Sequence, residues 1–512
     1  MFDKVAKLGG LFAQGSHGHP LADPRELRRI VAELPKDNAF KALDEIAGWL
    51  ESLLASDGIP ADRVYEAAQQ LDEAAQPLLK RLTREYLHTP RLPRNEEKRL
   101  WSINCGFWTL AAAVYERCLP EADDKGRAPE SAKWLLPALS ARLISAYGAR
   151  LKWEQFHYGP SHNDVWRGLG QALLLAEQAG VAGKPVAIPG GGGSTSPQQE
   201  YVKAMVFQAA SMDSLLPLEI ELAERLIAHF LSGFIFSANG EHDSVYWVDL
   251  AQSQPPLRMA RMPNVAVPTQ RFFKPGNAHG AMLELLGSLE RGGDVPAEIN
   301  LGGQYYGKTL VPVLRHLTAY LAPVPPQRRH DRHRVKHRMS VLNGLINAFV
   351  VFSKEFGGRP AGLQMESWVV DNVSRGGFGA VLSDIPAEWL KIGALVAMQP
   401  EGGDNWLLGV VRRYHRESDK EARVGIEALA RQAFSVELKP RTASSYAAVA
   451  GIPSLILQDG NEAGEVRVVL PPASFDLRES LEYPAGDRLQ QLVPVALVEQ
   501  TADYELARYR LG

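Results

Sequence analysis

The spacing of apolar and polar positions changes along the chain, and each change marks an expected change of architecture. From Asp23-Pro24 to about Gly233 apolar residues recur at intervals of three and four, the signature of amphipathic helices. The pattern predicts helices over 24–35, 38–55, 60–88, 95–119, 128–155, 161–180, 197–212 and 214–232. Asp23 is a capping residue with Pro24 in the first turn. The breaks at Ser56-Asp57-Gly58, Thr89-Pro90, Gly159-Pro160 and Gly180 are turn formers. In the last helix Ile220, Ala223, Ile227, Phe230 and Leu231 share one stripe, which Gly233 ends. Such stripes imply an α-helical bundle or a solenoid-like array, and no fixed repeat period runs through them.

From Phe234 the period becomes two. Phe234-Ile235-Phe236 and Val245–Leu250, on either side of Asn239-Gly240, read as a hairpin, and Arg271–Lys274 as a further strand. Helix returns at 304–322, where Leu310, Leu314, Leu317 and Leu321 form one stripe. After Pro323-Val324-Pro325-Pro326, strands are expected at 339–352, 363–373, 377–382, 393–399, 405–414 and 422–429. Short strands with Gly and polar turns suggest a small closed barrel. Ser454–Leu457, Val466–Leu470, Val493–Val498 and Tyr504–Tyr509 follow as a β-rich extension, either a second small domain or part of that barrel.

Composition adds limits rather than detail. The chain has 512 residues, enough for several domains, and 45% hydrophobic with 22% charged residues is ordinary for a soluble globular protein. The net charge of -3 carries no global signature of polyanion binding. Cys105 and Cys118 share one apolar helical segment and read as buried and reduced, as in a cytosol. Met1–Gln14 does not read as a signal peptide, and no apolar run is long enough to span a bilayer, so a cytoplasmic location is expected. Gly190-Gly191-Gly192-Gly193-Ser194-Thr195-Ser196-Pro197 lacks the Gly-Lys-Ser/Thr ending of a phosphate loop and reads as a linker, with Ser196 or Thr195 capping the next helix. His279 and the histidines from His330 to His337 have no metal-ligand spacing and read as solvated. No nucleophile elbow, zinc motif or telling carboxylate pair is present, so no catalysis is expected and no cofactor is implied.

Positive charge is concentrated in one place. Arg328-Arg329-His330-Asp331-Arg332-His333-Arg334-Val335-Lys336-His337-Arg338 contains one acid. Alone, the run reads as a solvated interdomain linker. A second segment gives it another meaning. Trp368 to Leu382 reads as strand, tight polar turn, strand, and Asn372 and Ser374, two apart, point the same way on an extended chain. Gly376, Gly377 and Gly379 permit close approach to the backbone.

Arg328-Arg329-His330-Asp331-Arg332 followed by Asn372-Val373-Ser374-Arg375-Gly376-Gly377 resembles the PilZ family, bacterial receptor domains for cyclic di-GMP, over residues 324–433. Leu390-Lys391-Ile392-Gly393, Trp406–Arg413 and Val424-Gly425-Ile426-Glu427 are also similar to that family. The resemblance implies a six-stranded antiparallel barrel. It implies that Arg328, Arg332, Asn372, Ser374 and Gly377 bind cyclic di-GMP, with Arg329 as a further candidate. Arginine forks suit phosphates and guanine edges, Asn372 carries a donor and an acceptor, and Ser374 adds a hydroxyl. Arg334 and Arg338 repeat the arm's spacing, so a shifted register stays open.

The chain thus reads as a multidomain α+β protein: helical domain 1–233, small α+β unit 234–323, PilZ-like β-barrel 324–433 and β-rich region 434–512. The expected function is that of a cyclic di-GMP receptor whose ligand reorients its domains toward a protein partner on the helical region; a homodimer stays open. The alternative is a nucleic-acid-binding protein that uses the same arm and barrel.

Overall fold

A computed structural model describes residues 19–89, 92–121, 129, 132–190, 193–259, 263, 265–327, 330–353, 363–383, 385, 389–418, 420–441, 451–486 and 488–512. The chain divides into two units. The first holds the residues up to His157 together with Ser161–Pro326; the second holds Tyr158–Pro160 and Gln327–Gly512.

The first unit is built on α1 (Pro24–Glu33), α2 (Ala39–Ala55), α3 (Ala61–His88), α4 (Arg94–Arg117), α5 (Leu136–Phe156), α6 (Asp164–Gln178), α7 (Pro197–Ala209) and α8 (Pro217–His229). Local chemistry sets several starts. The Asp23 carboxylate accepts from the Arg25 N–H at 2.8 Å, Asn38 caps α2 through Lys41, and Ser196 caps α7 through Gln199. The start expected at 128 falls partly outside the described residues; the described helix begins at Leu136. Buried charge inside this unit is paired: Lys152 reaches Glu221 at 2.7 Å and Glu224 at 3.0 Å. Cys105 is half-buried and Cys118 buried, and burial pushes both thiols up to about 12.

Short strands β1 (Val186–Ala187) and β2 (Ser194–Thr195) pair across the glycine-rich loop. A four-stranded sheet follows, made of β3 (Ile235–Ser237), β4 (Tyr246–Asp249), β5 (Leu257–Arg258) and β6 (Gln270–Lys274) in the order β3-β6-β4-β5. The expected hairpin is therefore corrected. β3 and β4 do not pair; both flank β6, whose Phe272 and Phe273 are buried between them. The local turn signal was outweighed by the burial gained by that central strand. Helix α9 (Gly276–Glu290) was missed by the periodicity, and α10 (Gly307–Tyr320) carries the expected stripe, with Leu310, Leu314, Leu317 and Leu321 buried. Tyr246, Phe273, Met282 and Leu314 belong to the same continuous core as Leu43, Phe107 and Leu169 of the helices.

The second unit contains two closed six-stranded antiparallel barrels. The first is formed by β7 (His333–Asn343), β8 (Glu366–Ser374), β9 (Gly377–Leu382), β10 (Leu395–Pro400), β11 (Leu407–Arg416) and β12 (Ala422–Ala430), ordered 7-8-9-12-11-10 around the barrel. The second is formed by β13 (Ala433–Pro440), β14 (Ile452–Leu457), β15 (Glu465–Leu470), β16 (Leu481–Ala485), β17 (Arg488–Gln500) and β18 (Glu505–Leu511), ordered 13-14-15-18-17-16. The two barrels share one topology, so the C-terminal region is a second copy of the strand plan; the pattern had missed β13 and β16.

The expected strand over 339–352 is also corrected. β7 begins six residues earlier, within the basic run, and ends at Asn343; Gly344, at φ +82°, turns the chain into α11 (Gly344–Val351). The apolar run that follows could serve strand or helix. It is helical because Leu345, Ala348 and Val351 fill a core between the outer faces of the barrels, with Leu342, Leu395 and Val410 from the first and Leu455, Val469 and Leu506 from the second. Each barrel keeps its own interior, around Val396, Val411 and Ile426 in the first and Leu438, Leu470 and Tyr509 in the second. Tyr158 lies in the first interior: its ring is 5.1 Å from that of Tyr414, and its carbonyl accepts from the Arg416 N–H at 2.7 Å.

Two glycines of the helical unit give a test of this packing. A Cβ on Gly170 of α6 would collide with the Leu250 backbone carbonyl, whereas one on Gly106 of α4 meets nothing within 4 Å. Gly170→Ala is expected to lower stability by about 1–3 kcal/mol and Gly106→Ala to raise it by about 0.5–1 kcal/mol. Urea unfolding of the two variants measures both signs.

Candidate functional site

The site is assembled where β7 starts and where β8 turns into β9. In the β7–β8 pairing His333 lies opposite Val373 and Arg334 opposite Asn372. Arg332 immediately precedes β7 and lies outside this paired register. Directly opposed residues of an antiparallel pair share a face, as do residues two apart on one strand. Arg334 therefore stands on the same face as Asn372 and, two residues on, Ser374. The two arginines are exposed, and the asparagine and serine are half-buried. Arg328 and Arg329 lie outside the described residues. Arg338 falls opposite Val369 and donates to the Ser367 hydroxyl at 3.4 Å, away from the corner. Of the two arginines that repeat the arm's spacing, Arg334 joins the face and Arg338 does not.

The basic run also touches the turn itself. The His330 ring would lie 3.3 Å from a Cβ built on Gly376. The turn is held by its own chain: Ser374 donates from its hydroxyl to the Gly377 carbonyl at 3.3 Å, and the Gly376 carbonyl accepts from the Ala428 N–H at 3.0 Å. Arg431 donates to the Arg375 carbonyl at 3.3 Å.

The glycines act differently from the sequence-based expectation that they make room for a ligand. A Cβ on Gly377 would collide with the Ile426 carbonyl of β12, so glycine there is demanded by the neighbouring strand. A Cβ on Gly379 would collide with the side-chain amide of Asn372. Gly379 gives that amide a flat floor on which to lie.

Charge around Asn372 is ordered. Its Nδ2 donates to the Asp371 carboxylate at 2.5 Å, and the other oxygen of Asp371 accepts from Arg423 at 3.0 Å. Arg423 in turn donates to Glu417 at 2.5 Å. The hydrogen bond and charge of Glu417, with Asp371 adding to them, hold Arg423 above its usual range. Neither Asp371 nor Arg423 had been singled out by the motif; adjacency to Asn372 was the only available hint for the first, and nothing along the chain pointed to the second.

The same corner of the second barrel is closed. Asp459, in the β14–β15 connection, accepts from the Arg431 N–H at 3.1 Å and from the Gln432 N–H at 3.4 Å. Arg467 donates to the carbonyls of Leu429 at 3.0 Å and Asp459 at 2.6 Å. These bonds tie the β14–β15 connection to the junction between β12 and β13.

A helical region followed by a six-stranded antiparallel barrel with an Asn-x-Ser-x-x-Gly turn is the plan of a class of second-messenger receptor. Comparison with known families agrees. The model for cyclic-di-GMP receptor FimW, N-terminal domain, matches residues 25–239, and that for cyclic-di-GMP receptor FimW, middle PilZ domain, matches residues 363–434. Together they cover more than half of the chain, which belongs to the PilZ-domain cyclic di-GMP receptor family. The helical half, which the motifs left without a role, is thereby part of the same receptor architecture. No curated protein matches the chain. Among the described residues no helix is long and apolar enough to cross a membrane.

The glycine geometry makes a prediction that needs no ligand. Gly377→Ala is expected to lower the denaturant midpoint of the second unit, by about 1–3 kcal/mol in stability, because a backbone carbonyl cannot move aside. Gly376→Ala meets only an exposed histidine ring and is expected to stay within about 0.5 kcal/mol of the parent. Chemical unfolding followed by tryptophan fluorescence compares them.

Proposed function

We propose that this chain binds cyclic di-GMP at the β8–β9 corner of the first barrel and passes that event to a protein partner through its helical half. Membership of the receptor family supports the ligand. The observation that supports the site is the β7–β8 register, in which Arg334 lies opposite Asn372. Each side chain has a chemical task. The guanidiniums meet phosphate oxygens bidentately or the guanine O6/N7 edge. The asparagine amide and serine hydroxyl face the base and its phosphate. Gly377 holds the turn in the shape that presents them. Arg328 and Arg329, earlier on the same arm, add cations for the second phosphate.

The positive charge of the basic run is compensated when the dianion binds. The ligand biases the arrangement of the receptor by the difference in its affinity for the two states, and by no more. Partner recognition is assigned to the helical half because that half carries no part of the ligand motif. The activity proposed is binding, not catalysis.

Calorimetric titration with cyclic di-GMP tests the reading. Saturable binding is expected, weakened about tenfold or more by Arg332→Ala and by Arg328→Ala, since a hydrogen bond to a charged group contributes about 1.5–3 kcal/mol. Ser374→Ala is expected to weaken it less. No heat and no thermal shift with the parent protein would remove the proposal, and equal affinity for a long polyanion with a steep salt slope would favour a nucleic-acid role instead.

A further inference from the structure

Asp371 sits at a break in the ladder. Against β9 the register steps between Val370 and Asn372, and against β7 it steps between Arg334 and His337. In a regular strand consecutive side chains point to opposite faces and cannot bond to each other. A bulge removes that restriction and re-aims a side chain. Here it brings the Asp371 carboxylate to 2.5 Å from Nδ2 of Asn372. Arg423, from β12, holds the carboxylate from its other side at 3.0 Å. The amide lies over Gly379, where no side chain competes for the space. Its carbonyl oxygen Oδ1 makes no hydrogen bond among the described residues.

An asparagine amide can read a purine in two ways. With Nδ2 donating and Oδ1 accepting, it pairs bidentately with adenine. With Oδ1 presented alone, it accepts from a donor edge, and guanine carries such an edge in N1–H and the N2 amino group, whereas adenine has an acceptor at N1. We infer that Asp371, steadied by Arg423, is a specificity-determining positioning residue: it engages the Asn372 amide nitrogen and leaves the carbonyl oxygen facing the base, so that the corner selects guanine over adenine. This rests on the cyclic di-GMP reading of the corner and adds the reason for its choice of base.

The test compares cyclic di-GMP with cyclic di-AMP on the parent protein, Asp371→Ala and Arg423→Ala. The parent is expected to prefer the guanine ligand. Asp371→Ala frees the amide to turn, so cyclic di-GMP affinity is expected to fall about tenfold and the preference to narrow by a similar factor. Arg423→Ala, at an exposed residue, is expected to change both in the same direction by a smaller factor, with the unfolding midpoint unchanged. A parent that binds neither ligand sinks the proposed function itself. A parent that binds cyclic di-GMP, with both variants keeping the same preference whatever their affinity, overturns the role given to Asp371.

Discussion

The pairing of β7 with β8 is the constraint on which the rest of the second unit depends. The C-terminal half of β7 is anchored twice, by β8 and by β10, and puts Met339 and Val341 into the barrel interior and Leu342 into the core between the barrels. The N-terminal half runs past the end of β10, whose last partner is Met339, and is held by β8 on one side. A strand so divided can be hydrophobic where it closes the barrel and densely cationic where it projects. Its register is fixed by the buried half, because a slip of one residue would turn Met339 and Val341 outward. The position of Arg334 therefore follows from packing several residues away.

The two barrels use one topology for different ends. In the first the corner between the second and third strands carries Asn372 and Ser374 opposite the basic start of β7. In the second Asp459 and Arg467 fill the same corner with hydrogen bonds to their own chain. The second barrel contributes instead to the shared core around α11, and an ion pair from Arg412 of the first to Glu499 of the second, 2.7 Å at its longer contact, ties the pair together.

Tyr158–Pro160 belongs to the second unit although its neighbours in sequence are the helices α5 and α6. The ring of Tyr158 is one of the side chains that fill the barrel interior, and its backbone bond to Arg416 fixes the tripeptide there.

Much was legible in the sequence by itself. The helix stripes, the capping by Asp23 and Ser196, the β character after Pro326 and the two-part motif depend on neighbours within a few residues, and those relations survive in any fold. Other features depended on partners distant in the chain. The central place of β6, the helical state of 344–351 and the closure of the second barrel were decided by which surfaces needed burying. The bulge at Asp371 and the Arg423 that meets it come from strands more than fifty residues apart. The sequence determined which side chains could bind a dianionic nucleotide; only the tertiary structure decided which of them share a face, because register is set by packing of whole strands and not by local preference.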